Sequence, residues 1–442
     1  MSARAPRYTS YPPATAFHPG VGGPQVADWL AAHPEGAPVS IYLHVPFCRR
    51  LCFFCACRTQ GTRSEAPLEA YARRLEREID AVLARLPEGT PMSRLHFGGG
   101  TPTLLPPRDL VALAQRVKRW CPPTPDAEIS IETDVLVAEP ERLDALARIG
   151  VTRASVGVQD FEPAVQEAIG RPQSEEATRV AVEGLRARGI EGLNLDLLYG
   201  LPHQDEVTLA RTLDAALSLA PDRIALYGYA HVPWVAKRQA VIRAETLPDA
   251  SARIGMLRLA GERLEAAGLG AIGIDHFARP GDGLARAAAE GRLRRNFQGY
   301  TDDCARAIVG LGASAISTYP QGYAQNAATT LAWSQAVDAG RSTVARGVAL
   351  GADDRLRGAM IEELLCSLAI EPARIAARGA GTEAQVVAAL DTMARDSAML
   401  GHRTPGGGFS LGRGFEARLV ARLAAQGLDI HARDAQAFSQ AI

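Results

Sequence analysis

The sequence lacks an excess of either charge. Its 48 Lys and Arg stand against 49 Asp and Glu, a net of −1, which gives no electrostatic footing for nucleic acid or an anionic membrane as partner. It has no run near the ~20 apolar residues that a membrane span needs. Its opening, MSARAPRYTSYPP, has no apolar signal-peptide core. Cysteine is scarce and odd in number, 7 in all, with four between Cys48 and Cys57. That distribution is not a disulfide framework, and grouped thiols suit a reducing compartment where they ligate metal. A cytoplasmic protein is expected, and a monomer, since no interface signal stands out. No internal repeat or long low-complexity segment breaks the chain, and 442 residues suffice for two or three domains.

From residue 40 onward, short apolar runs alternate with amphipathic stretches. Strands are expected over 40–45, 94–97, 128–132, 153–158, 192–198 and 223–229, with a further apolar piece at 269–274. Between the first two, Leu68, Tyr71, Leu75, Ile79, Val82 and Leu86 recur at three- and four-residue spacings, one face of a helix. Strand–helix alternation implies parallel βαβ units. Six units predict an α/β fold, an open partial (β/α)6 barrel, whose chemistry gathers at the carboxyl ends of the strands. Residues 1–36 read as an extended arm with one short helix near 26–32, 37–280 as the barrel, and 281–347 as a less regular barrel extension. Residues 348–442 read as a small mainly helical domain, with a winged-helix-like arrangement as one reading.

Three cysteines, Cys48, Cys52 and Cys55, stand in the run HVPFCRRLCFFC just after the first strand. C-x3-C-x2-C supplies three thiolates. A [4Fe–4S] cube is ordinarily held by four, so three leave one iron open to bind a small molecule. A zinc knuckle completed by Cys57 or His44, or a group of reduced thiols, fits the same spacing, although no second Cys or His pair completes a closed zinc site. Gly98-Gly99-Gly100-Thr101-Pro102 follows the second strand. It lacks the Lys-Ser/Thr of a phosphate-binding loop, and reads either as a tight turn or as backbone that approaches a ligand closely. Glu132, Gln159, Arg171 and Asp196 lie on or just after successive strands. Singly each reads as a surface polar residue or a satisfied strand-end hydrogen bond; their repeated placement at one end of a sheet favours a binding site, where an Arg can pair bidentately with a carboxylate. Tyr8 and Tyr11 sit in the arm, where packing anchors are the usual reading. Arg279, Arg292, Arg294 and Arg295 read as a solvated basic face or as ligands for an anionic substrate.

These segments resemble radical S-adenosylmethionine (SAM) enzymes. As a set, RYTSYP, HVPFCRRLCFFCAC, LHFGGGTPT, SVGVQDF, NLDLLYGLP, YAHVP, DHFARP, RNFQGYT and GASAIS followed by YAQN resemble the oxygen-independent coproporphyrinogen III dehydrogenase (oxidase) family. The resemblance runs from Arg7 to about Asn326, with a weaker trace at Phe438-Ser439. It implies a [4Fe–4S] cluster on Cys48, Cys52 and Cys55, with Cys57 outside the ligand set, and two SAM molecules. Tyr42, Gly99, Glu132 and Ile316 match positions for the cluster-bound SAM. Phe54, Gly100, Thr101, Gln159, Arg171, Asp196 and Ala230 match positions for the second. The implied reaction converts two propionates of coproporphyrinogen III to vinyl groups in porphyrin and haem biosynthesis, fed by an electron donor protein. Tyr8 and Tyr11 are candidates for closing over the substrate during catalysis.

The chain departs from the family pattern at Thr133-Asp134 after Glu132, at Cys366-Ser367-Leu368, and at residues 423–430, LAAQGLDI. The last two bear on how a C-terminal domain covers substrate. Radical methyl transfer with two SAM molecules, porphyrin carriage without turnover, and a structural zinc protein are the rival readings.

Overall fold

The structure, a computed structural model, describes residues 6–396 and 400–431. The trace at Phe438-Ser439 lies outside the described residues. Among those described, twelve strands form one sheet. In chain order they are β1 (Val39–Val45), β2 (Met92–Gly99), β3 (Pro123–Thr133), β4 (Arg153–Gln159), β5 (Gly192–Tyr199), β6 (Arg223–Gly228), β7 (Gly270–Ile272), β8 (His276–Ala278), β9 (Ile308–Leu311), β10 (Ile316–Tyr319), β11 (Gly322–Asn326) and β12 (Val344–Ala349).

Strands β1 to β6 lie side by side in chain order and all parallel, the six units expected. The apolar piece at 269–274 becomes the short β7, and β8 between it and β6 runs antiparallel to both. The stretch expected to be less regular holds the start or whole of four strands of this sheet and a separate hairpin, Arg294–Asn296 with Gly299–Thr301. β9 pairs parallel with the free edge of β1, Ser40 against Ile308, and β10, β11 and β12 continue as an antiparallel meander.

The helix Ala66–Leu83 shows how sequence sets packing. Leu68, Tyr71, Leu75 and Ile79 are buried against the sheet, Val82 only partly, and Leu86 is buried beyond the helix end. Pro67 near its start costs nothing, because the first turn has no acceptor for that N–H. From the same face, Glu78 accepts from Gly312 N (2.6 Å), Asn326 Nδ2 (2.9 Å) and Thr343 Oγ1 (2.6 Å), tying the helix to the extension.

The barrel interior is polar, because inward residues alternate along each strand. At its amino-terminal end Glu128 meets Arg94 at 2.6 Å and Arg153 at 3.0 Å, and Asp282 meets Arg153 at 3.1 Å and also Arg223. Burial alone would raise the Glu128 carboxyl, but these cations bring it to about 2. This paired layer closes the floor.

The arm carries the helix Gly23–Ala31. After β12 come the helix Ala352–Ser367, the strand Ala369–Ile370, the helices Pro372–Ala377 and Glu383–Asp396, the hairpin His402–Arg403 with Phe409–Ser410, and the helix Phe415–Gln426. No helix among the described residues is long and apolar enough to cross a membrane.

Candidate active site

A cavity of about 410 Å³ fills the barrel from its floor to the carboxyl ends of the strands. Cys48, Cys52 and Cys55 line its mouth, with Phe54, Gly99, Gly100, Thr101, Glu132, Gln159, Arg171 and Asp196. Most of the candidates named from the sequence therefore line one cavity.

The cysteine loop leaves β1 at Pro46 and is held on several sides. Its base bonds to the glycine segment, with Gly100 N donating to Val45 O (2.9 Å) and Thr101 N to Phe47 O (2.7 Å). Phe53 N donates to Ile169 O at 2.9 Å, and Arg50 Nη1 to Pro172 O at 2.6 Å. A Cβ on Gly100 would stand 2.5 Å from Phe47 O and 2.9 Å from Cys48 Sγ. Gly99 has φ +119 and His44 against it. The run of glycines is thus demanded by the approach of the cysteine loop, while it also leaves backbone bare at the cavity wall.

The thiols differ electrically. Burial pushes Cys48 up to about 11, opposed by hydrogen bonds from Thr101 and Thr59. A hydrogen bond from Cys57 pulls Cys55 down to about 6 against its burial, and Cys57 N donates to Cys55 Sγ at 3.4 Å. Cys52 is buried and accepts from Arg171 Nη1 at 3.4 Å.

Glu132, on β3, accepts from Gly99 N at 2.9 Å and stands 3.6 Å from His96 Nε2. Burial would raise its carboxyl, but the His96 and Gly99 donors hold it below the usual range, so it is ionised at neutral pH. Tyr42 stacks on His96 with ring centroids 5.7 Å apart, and its hydroxyl meets His44 Nδ1 at 2.8 Å. Burial brings His44 down to about 4, so it is neutral. Ile316 does not line the cavity. Its backbone lies against Gly310, which pairs with Tyr42, so it backs Tyr42 from two strands away.

Asp196, on β5, accepts from Ser155 Oγ (2.8 Å) and Asn194 Nδ2 (2.9 Å). Burial raises it to about 6, with Glu132 adding to the rise. Gln159 ends β4 at φ +70, where the register against β5 shifts; a side chain in that conformation is strained, as at many functional positions. Arg171 reaches Asp134 Oδ2 (3.0 Å) and Gly157 O (2.7 Å). Burial would lower its guanidinium, but Asp134 and Cys52 hold it up.

Phe54 and Ala230 are joined by a residue that sequence reasoning missed. Gln239 Nε2 donates to Phe54 O at 2.7 Å and to Ala230 O at 3.1 Å. It sits in the irregular segment after β6, with no periodicity to single it out. His96 was missed in the same way, reading as one more residue of a strand, and His44 was considered only as a zinc ligand.

Tyr8 and Tyr11 are not part of this cavity. They line a second one of about 310 Å³, between the arm, the antiparallel extension and the C-terminal helices. Both are buried, Tyr8 donating to Asp429 Oδ2 (3.1 Å) and Tyr11 accepting from Ile430 N (3.2 Å). Burial raises both hydroxyls, Tyr11 to about 12. Asn296, Thr301, Asp303 and Ile308 line both cavities and form the shared wall. Of the arginines considered for an anion, Arg279 donates to Pro221 O (2.9 Å), Arg292 pairs with Glu290 on the surface, and Arg294 pairs with Glu362 (2.8 Å). Arg295 is buried, with Asp275 3.9 Å from its Nη1.

The donor set fits an iron–sulfur cube. Three soft thiols face one cavity, bare glycine backbone lies beside Cys48, and the buried Arg171 Nε and Asn194 Oδ1 on the wall make no hydrogen bond. Among the described residues no three His, Cys, Asp or Glu side chains converge as a single ion's ligands would; a cube takes its thiolates at separate irons and needs no such convergence.

Comparison with known proteins agrees. The model of the radical SAM superfamily matches residues 42–216. The oxygen-independent coproporphyrinogen III oxidase of Paracoccus denitrificans is 55% identical over 370 residues, 84% of this chain and 82% of that protein. That of Cereibacter sphaeroides (strain ATCC 17025) is 45% identical over 442 residues, 100% of this chain and 97% of that protein. The solved structure of coproporphyrinogen III oxidase (HemN) from Escherichia coli, a radical SAM enzyme, superposes with a TM-score of 0.89 at 34% identity, covering 97% of this chain and 100% of that one. With thiols, glycine segment and strand-end polar residues converging as they do, this chain belongs to the oxygen-independent coproporphyrinogen III oxidase family of radical SAM enzymes.

Proposed function

We propose that this protein converts coproporphyrinogen III to protoporphyrinogen IX. Each of two propionates gives up one β-hydrogen atom, one CO2 and one electron, and becomes a vinyl group. The observation that carries this reading is the single cavity shared by three cysteines, the glycine segment and Glu132, Gln159, Arg171 and Asp196. When bound, the reduced cluster and SAM supply the hydrogen-abstracting radical.

The chain's own residues bind, orient and exclude water. Cys48, Cys52 and Cys55 hold the cluster. The ionised Glu132 and Gly99 receive the ammonium end of one SAM, with Tyr42 and Ile316 behind them. A second SAM rests against Phe54, Gly100, Thr101, Gln159, Arg171, Asp196 and Ala230. Arg171 touches both the Cys52 thiol and the wall of that second position, so it orients both. The paired charges of the floor seal the barrel from below. Tyr8 and Tyr11, with hydroxyls raised by burial, enclose substrate and move no proton near neutral pH. An electron donor protein delivers the electron, and the enzyme works as a monomer in the cytoplasm.

The test is an anaerobic assay of reconstituted protein with SAM, a low-potential reductant and coproporphyrinogen III. Vinyl product, two CO2 per porphyrinogen and 5′-deoxyadenosine, all lost in Cys52→Ala, are expected. SAM cleavage without decarboxylation would overturn the substrate, and methylated product with S-adenosylhomocysteine would overturn the reaction.

A further inference from the structure

A third cavity, of about 60 Å³, lies at the carboxyl ends of β5 and β6, beneath the arm. Five guanidinium groups face it: Arg7 from the arm, Arg253 from the helix Ala250–Ala266, Arg295 from the strand Arg294–Asn296, and Arg418 and Arg422 from the helix Phe415–Gln426. Among the described residues, Asp275 is the one carboxylate in its lining. Arg418 and Arg422 stand four apart on one helix, a spacing at which like charges repel.

Backbone carbonyls occupy some of the donors. Arg7 Nη2 donates to Gly228 O (3.1 Å), Arg253 Nη2 to Tyr229 O (2.9 Å), Arg418 Nε to Gly273 O (3.0 Å) and Arg295 Nη2 to Arg7 O (3.2 Å). Carbonyls satisfy geometry but carry no net charge. The Arg295 side chain is 5% exposed, and its Nε and Nη1 make no hydrogen bond. The nearest Asp275 oxygen is 3.9 Å from Nη1, and that same oxygen accepts from His276 Nδ1 at 2.7 Å. Arg253 is 8% exposed, and its Nε is also unbonded. Burial brings Arg422 down to about 10, with Arg7 the next cause. Five guanidinium groups around Asp275 leave an excess of positive charge that an anion in the cavity offsets.

Position makes this pocket useful. Tyr227 lines both it and the cluster cavity, and Arg295 lines both it and the cavity of Tyr8 and Tyr11. Its volume admits a carboxylate and excludes a macrocycle, and guanidinium forks match carboxylate oxygens two by two. We propose that this arginine pocket anchors one carboxylate of the substrate. Resting on the function proposed above, that carboxylate is a propionate not being decarboxylated, held while another stands in the cluster cavity. The three cavities then hold one ligand, with the ring against the arm and one acid group in each flanking site.

The experiment measures equilibrium binding of coproporphyrinogen III, its tetramethyl ester and inorganic phosphate to the anaerobic holoenzyme, alongside turnover. Arg295→Gln and Arg253→Gln are expected each to weaken the tetra-acid about tenfold or more. The ester should be unaffected, melting temperatures unchanged, and Arg295→Lys should restore part of the loss. Two variants guard against one failing to fold. Unchanged tetra-acid affinity in the folded variants overturns the proposal. So does phosphate binding that needs Arg295 yet leaves tetra-acid binding undisturbed, since it would make this a free-anion site. If the wild type binds the tetra-acid through these arginines but does not decarboxylate it, the pocket stands and the function proposed above falls.

Discussion

Arg171 Nη1 lies 3.4 Å from the Sγ of Cys52, while its Nη2 pairs with Asp134 at 3.0 Å. One guanidinium thus steadies the Cys52 thiol and is itself steadied by the acid two residues past Glu132. Arg171→Ala is expected to lower cluster retention or activity about 10–100-fold, the usual cost of losing a group that orients a metal ligand. Iron and sulfide per chain, and turnover after reconstitution, measure it. Asp134→Asn should show a smaller loss in the same direction.

Gly100→Ala places a methyl group 2.5 Å from Phe47 O and 2.9 Å from Cys48 Sγ. Both neighbours belong to the cysteine loop, so the loop must shift. Iron loading should fall sharply while the barrel's circular dichroism is kept. An alanine variant that loads iron like the wild type would show the loop to be pliant.

Asp196 titrates near 6 in the fold, against an ordinary 3.8. A carboxyl raised in this way favours folding most below its unfolded pKa, and that advantage disappears as pH rises through about 6. Stability of the ligand-free protein should therefore contain a component that declines between pH 4 and 6. Its size is at most about 3 kcal/mol, less whatever cavity water recovers by solvating the charge. Urea unfolding across that window should show a flatter profile for Asp196→Asn.

Gln239 bridges two carbonyls, those of Phe54 and Ala230. Gln239→Ala should raise the SAM concentration for half-maximal turnover by about tenfold, the worth of one to two hydrogen bonds at about 1 kcal/mol each. Cluster content should be unchanged, which separates this effect from that of Arg171.

Glu78 satisfies three buried donors at once, on Gly312, Asn326 and Thr343. Glu78→Ala orphans them and should cost about 2–5 kcal/mol, read as a lower urea midpoint. Glu78→Gln keeps part of the acceptor set and should cost less.

Strands β1 to β6 were legible because buried parallel strands read as apolar runs between amphipathic helices. The cysteine loop was legible because thiol spacing is chemically loud. Strands β9 to β12 were not: they are short, and Gly310 inside β9 and Gly312 just after it break the apolar pattern. Those glycines answer to Ile316 O and to His44 O, contacts that only the folded sheet reveals. Local periodicity carries no record of Ser40 pairing with Ile308. Tyr8 and Tyr11 were visible as anchors, but their distance from the cysteines was not. The arginine pocket was not legible as a unit because its members come from four separated segments, of which only that of Arg295 stood out as a candidate for binding an anion.

The edge of β1 that β9 covers has a history during synthesis. Ser40 and Ile308 are neighbours in the sheet, yet at about 5–20 residues per second the roughly 270 residues between them take on the order of 10–50 s to emerge. Through that interval the strand leading into Cys48 has one side without a partner, open to pairing with another chain. Chaperone demand should therefore peak while the ribosome is still translating the barrel's second half.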